Sequence, residues 1–131
     1  MIFLSLVIQL ANAQSPPIVG GVETSNYRQV GAILAIHPQG YGASFCSATL
    51  IHRYWVLTAA HCIEGSDAAL DMADDGYRIY FVTAKNVYSA NYNDMHEVNT
   101  NNMIPHPYYN SGSMEHDIGL LQLMNPLDAL E

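Results

Sequence analysis

No long stretch of this sequence keeps the 3.6-residue apolar period of a helix. Short runs rich in apolar, β-branched and aromatic residues recur instead, most of them followed within two residues by Pro or Asn. The runs cover residues 29–36, 44–51, 55–58, 77–84, 97–104 and 118–124, the last apolar except for Gln122. Residues 37–42 and 52–54 carry turn chemistry, and residues 59–62 have room for one helical turn. The acidic stretch 64–76 and the Pro-, Tyr- and Asn-rich stretch 105–112 are expected as surface loops. A single short strand cannot satisfy its own backbone or bury its own apolar face. Several of them with short turns predict an all-β fold, an antiparallel barrel or sandwich.

The first thirteen residues stand apart. Residues 2–10 are mostly apolar and lead into Ala11-Asn12-Ala13, a small-x-small cleavage pattern, so 1–13 is read as a secretory signal peptide. The run is shorter than the roughly 20 residues a membrane-spanning helix needs. The expectation is a secreted, extracellular chain that starts near Gln14 and has no membrane attachment after signal removal.

The charge balance narrows the partners. Twelve acidic residues face four basic ones in 131 residues, a formal net charge of −8. Nucleic acid and anionic membrane surfaces call for clustered Lys and Arg, so neither is an expected partner. Only two Cys are present, Cys46 and Cys62. In an oxidising compartment such a pair is expected as a disulfide, worth about 3 kcal/mol for a loop of this order. The alternative is a metal site that adds His61, but it lacks the local ligand pairing usual in such motifs. No metal and no cofactor is expected. The acidic stretch 64–75 lacks a recognisable calcium-ligand spacing and is read as a solvated loop.

Three segments go further than pattern. Ile18-Val19-Gly20-Gly21 resembles the N-terminus that zymogens of the trypsin/chymotrypsin-like serine proteases (peptidase family S1) expose on activation. Trp55-Val56-Leu57-Thr58-Ala59-Ala60-His61-Cys62 is similar to the segment that holds that family's catalytic His, and Asp117-Ile118-Gly119-Leu120-Leu121 to the segment that holds its catalytic Asp. They stand in the family's order. The resemblance implies a Greek-key barrel, the first of the two barrels of the trypsin-like fold. It also implies a short propeptide at 14–17, an incomplete peptidase domain over 18–131, and Ile18 as the activation N-terminus. His61 is then the general base that takes the proton of a Ser nucleophile, and Asp117 the carboxylate that orients it. The Cys46–Cys62 bridge would hold the strand beside the base. Expected partners are protein or peptide substrates and the missing C-terminal barrel.

The chain departs from the family where the nucleophile is concerned. No Ser has a Gly-Asp-Ser-Gly-Gly setting; Ser66 and Ser113 follow single glycines in loops. Pro17 stands where family zymogens typically carry Arg or Lys before the cut. Cys46-Ser47-Ala48-Thr49 replaces the usual Cys-Gly-Gly-Ser, and Gly119 replaces the usual Ala. The reading is a serine endopeptidase represented by an incomplete chain, inactive alone. Its alternative is a secreted, non-catalytic homologue with a binding or regulatory role. His37, His52, His96, His106 and His116 have no such context and are expected at the surface or in turns.

Overall fold

The first hairpin joins β1 (Val30–Ile36) to β2 (Gly42–His52), and β3 (Trp55–Thr58) follows through a tight turn. The chain returns through β4 (Arg78–Val82), β5 (Met95–Pro105) and β6 (Gly119–Leu123). In this computed structural model, which describes residues 19–22, 24 and 26–128, these strands close into an antiparallel barrel in the order β1-β2-β3-β6-β5-β4. Closure pairs β4 with β1, so β4-β1-β2-β3 has the 4-1-2-3 order of a Greek key. The expected all-β Greek-key barrel is what forms. The signal peptide, the propeptide and Ile18 fall outside the described residues.

Alternation explains which side chains fill the barrel. Along β6, Gly119, Leu121 and Leu123 are buried while Leu120 and Gln122 are half-exposed, the period of two that a strand imposes. Phe81, Ile33, Leu50, Ile79, Val56 and Val98 join them inside, and Phe81 is the largest fully buried side chain. Gly31 lies against Phe81: a Cβ there would meet the Val82 carbonyl oxygen at 2.3 Å and the Phe81 ring at 2.6 Å. A side chain at position 31 would therefore push β1 off β4.

Two local expectations are corrected. The acidic stretch 64–76 contains a short helix, α1 (Ala69–Asp74), with Ala68 and Ala69 buried at 3% and 1% exposure. Six residues are too few for an apolar period to register in the sequence, and burial of two alanines holds the helix down. β5 starts earlier than residue 97, at Met95, so His96 sits half-buried in a strand near Phe81 rather than in a turn. Burial holds its pKa below the ordinary value.

The lone Gln122 of β6 also finds its reason. The β5–β6 register slips between Val98 and Met103. Across that irregularity the amides of Asn99 and Asn102 both donate to Gln122 Oε1, at 3.1 and 2.8 Å. The Gln122 side chain thereby ties β6 to the irregular stretch of β5.

Gly119 is tied to Ile63. A Cβ at Gly119 would lie 2.4 Å from Ile63 Cδ1, and Ile63 is fully buried. Gly119→Ala, which restores the family's usual residue, is expected to destabilise the chain by about 1–3 kcal/mol through overpacking. Ile63→Val removes Cδ1 and on its own costs about 1 kcal/mol. The double variant should be more stable than the sum of the two predicts, by urea unfolding. Strict additivity would contradict the contact.

Candidate active site

His61 owes its position to its neighbours. After β3 the chain turns through a single 3₁₀ turn, Ala60–Cys62, closed by bonds from Cys62 N–H to the Ala59 carbonyl and from Ile63 N–H to the Ala60 carbonyl. Ala60, Cys62 and Ile63 are buried, which leaves the His61 ring as the one side chain of the turn facing outward. Cys62 is bonded to Cys46 of β2, and the buried Thr58 hydroxyl donates to the Ser47 carbonyl oxygen at 2.8 Å. Both ties fasten the end of β3 to β2, so the turn cannot swing.

Asp117 arrives from the other side of the same pairing. β3 and β6 run antiparallel with Thr58 opposite Gly119, so the chain leaving β3 and the chain entering β6 emerge level. His116, just before Asp117, has φ 55°, a left-handed conformation that is uncommon for a residue with a Cβ. Its carbonyl oxygen accepts from Ile118 N–H at 2.8 Å, and the Ile118 carbonyl oxygen accepts from His106 N–H at 2.9 Å. The His106 and His116 rings stack at 4.8 Å, with 10° between their planes. Asp117 is thus the middle residue of a turn pinned from both flanks.

The two side chains meet in a fork. His61 Nδ1 lies 2.7 Å from Asp117 Oδ2, and the His61 backbone N–H donates to Asp117 Oδ1 at 2.8 Å. Both carboxylate oxygens are engaged, so the carboxylate plane and the imidazole plane are fixed together. The side chains are 51% and 21% exposed, His61 the more open. The His61 ring bond, followed by the His61 backbone bond, holds the Asp117 carboxyl below its ordinary value; partial burial opposes this without reversing it. An ionised Asp117 accepts from Nδ1–H and leaves Nε2 with a free lone pair. That imidazole is built to take a proton at Nε2 and to be stabilised once it has done so.

Two features of the surroundings carried no signal in the sequence. The backbone bond from His61 is one, since nothing in residue identity marks it. Tyr109 is the other: burial, then the Asp117 and Glu64 charges, push its hydroxyl pKa up, so it stays protonated beside the carboxylate. Ser66 and Ser113 do not join the site. The Ser113 hydroxyl accepts from Glu115 N–H in the 110–115 turn, and neither Ser bonds to His61. A donor atom from each of Cys46, His61 and Cys62 lies within 4.8 Å of the others, but the two sulfurs are bonded to each other and are not thiolate donors in this state.

Residues 18–130 match the family model described as Trypsin. The chain belongs to the trypsin family of serine proteases. It is 32% identical over 119 residues to Serine protease 28 of Mus musculus, an alignment that covers 88% of this chain and 40% of that protein. It is 31% identical to Tryptase of Mus musculus, over 98% of this chain and 46% of the relative. Among solved structures, one titled "Structure of GrC" superposes with a TM-score of 0.57 at 25% identity, covering 82% of this chain and 43% of that one. The chain spans less than half the length of these relatives.

The bond between Asp117 and His61 has a pH dependence whose sign can be measured. The folded Asp117 carboxyl titrates below the unfolded one, so the pair stabilises the fold above about pH 4, and that contribution is lost as pH falls through the lowered value. Asp117→Asn should lower the urea midpoint at neutral pH and flatten the loss of stability on acidification below about pH 4. An unchanged acid limb would contradict the linkage.

Proposed function

We propose that the chain is the base-bearing barrel of a secreted serine endopeptidase. His61 is the general base and Asp117 the residue that orients it. The nucleophilic Ser comes from a C-terminal barrel with a Gly-Asp-Ser-Gly-Gly segment that these 131 residues do not include. The observation that carries this reading is the fork between Asp117 and His61.

The chemistry follows from that geometry. A Ser hydroxyl is a weak nucleophile at neutral pH, and attack on a peptide carbonyl requires its proton to leave as the C–O bond forms. With Nδ1–H held by Asp117, Nε2 accepts that proton, and the imidazolium gains the carboxylate as a counter-charge 2.7 Å from Nδ1. The same proton then passes from Nε2 to the leaving amine, which releases the first product and leaves an acyl-enzyme for water to open. The 51% exposure of His61 provides the open side on which Ser and substrate must approach. Oxyanion donors and the pocket for the substrate side chain belong to the second barrel in this reading. An apolar cleft of about 250 Å³, lined by Leu57, Ile104, Pro105, Ile118 and Leu120, supports it as surface that further chain would cover. Protein or peptide chains are the proposed substrates, and residues 1–13 the signal that directs secretion. No helix among the described residues is long and apolar enough to cross a membrane.

A second reading, a non-catalytic homologue that binds rather than cleaves, is favoured by Pro17. A trypsin-like activator has no basic side chain there to recognise, and without the cut Ile18 stays inside the chain.

The 131-residue chain alone is expected to hydrolyse no peptide amide substrate and to take no label from a fluorophosphonate, a reagent for activated Ser. The transcript is expected to encode Gly-Asp-Ser-Gly-Gly downstream, and that longer product should lose turnover with His61→Ala. Labelled turnover by the short chain would overturn the assignment of the nucleophile. A folded natural product that ends at Glu131 and cleaves nothing would favour the binding homologue.

A further inference from the structure

We propose that His106 is a positioning residue for the Asp117–His61 fork, acting through the stack of its ring on His116. The carboxylate is held from one side only. The His61 ring and backbone engage its two oxygens, and among the described residues no group of β5 or β6 hydrogen-bonds the Asp117 side chain. Its direction of approach is therefore set by its own backbone, and that backbone depends on His116.

His116 holds a conformation that its side chain disfavours. Its φ of 55° is left-handed, a region in which the Cβ of most residues is crowded. Such a conformation persists where its surroundings hold it. The bond from Ile118 N–H to the His116 carbonyl oxygen closes a three-residue turn with Asp117 at its centre. A change of backbone at residue 116 thus swings the Asp117 side chain directly. The exposed His116 ring makes no hydrogen bond among the described residues. Its ring neighbours are His106, nearly parallel at 4.8 Å, and Tyr108 at 6.2 Å.

The platform under that ring is fixed at three points. The His106 N–H donates to the Ile118 carbonyl oxygen at 2.9 Å, and the His106 carbonyl oxygen accepts from Tyr109 N–H at 3.0 Å. Nδ1 of the His106 ring accepts from Tyr108 N–H, also at 3.0 Å. The last bond fixes the plane of the ring and places the proton of the neutral form on Nε2. A half-buried ring held in this way selects the orientation of His116, and with it the left-handed turn. The two backbone bonds do not depend on the side chain at position 106, so the share of the ring can be separated from theirs. A consequence for turnover rests on the function proposed above; the coupling from His106 to the fork does not.

The test is long-range ¹H–¹⁵N NMR correlation of the His61 ring in the 131-residue chain at mildly alkaline pH. His106→Ala is expected to raise the population of the Nε2–H form of His61 roughly tenfold, and to move its Nδ1 proton upfield, as one disfavoured conformation is released. His116→Ala removes the other ring of the stack and is expected to do the same, which carries the test if the first variant does not fold. His106→Phe keeps a stacking ring without the Nδ1 acceptor and is expected to restore the signals of the unsubstituted chain. His106→Ala combined with His116→Gly is expected to restore them too, since glycine takes the left-handed conformation without a Cβ. Unchanged amide shifts in β3 and β6 report an intact barrel. An unchanged His61 tautomer in the alanine variants, or a loss that either rescue fails to reverse, would overturn the proposal. None of these readouts depends on proteolysis, so a failed endopeptidase reading and a failed positioning role give different results.

Discussion

The antiparallel pairing of β3 with β6 governs this molecule. It places Thr58 opposite Gly119, and from those ends the chain has only three residues to His61 and two back to Asp117. A slip of one residue would turn Val56 and Leu121 from the core to the surface as well as separating the two side chains. The same burial that stabilises the barrel therefore fixes the spacing of His61 and Asp117. The Cys46–Cys62 bridge and the Thr58–Ser47 bond secure the β3 end of that pairing against β2. The His116 turn and the His106 stack secure the β6 end.

Much of this was legible in the residues because strands announce themselves by alternation and turns by Gly and Pro. The six strands fall where short apolar runs stood, and the Trp55–Cys62 and Asp117–Leu121 segments stood out from the sequence by likeness to one family. What stayed hidden was contact between distant residues. α1 rests on two buried alanines inside an acidic stretch, which no period reveals. The role of Gln122 depends on a register slip in β5, and Gly119 on a methyl group of Ile63 far away in sequence.

The pair is also informative for what it does not need. Asp117 and His61 are assembled wholly by the described barrel, through one ring bond and one backbone bond, with the His ring half open to solvent. The Asp117–His61 fork is thus a property of one barrel; in the proposed enzyme it serves as the base and its orienting group, while other chain supplies the nucleophile and the transition-state donors. Family membership follows from the match over residues 18–130, and the chain spans less than half the length of the relatives it matches.

The most direct test of that claim is the tautomer of His61 in this chain, read by long-range ¹H–¹⁵N NMR correlation of the imidazole nitrogens at mildly alkaline pH. A barrel that preassembles the base gives a neutral ring protonated at Nδ1, with Nε2 as the bare nitrogen, and the Nδ1 proton strongly deshielded by Asp117. A ring protonated mainly at Nε2, or one that exchanges freely between tautomers, would contradict it.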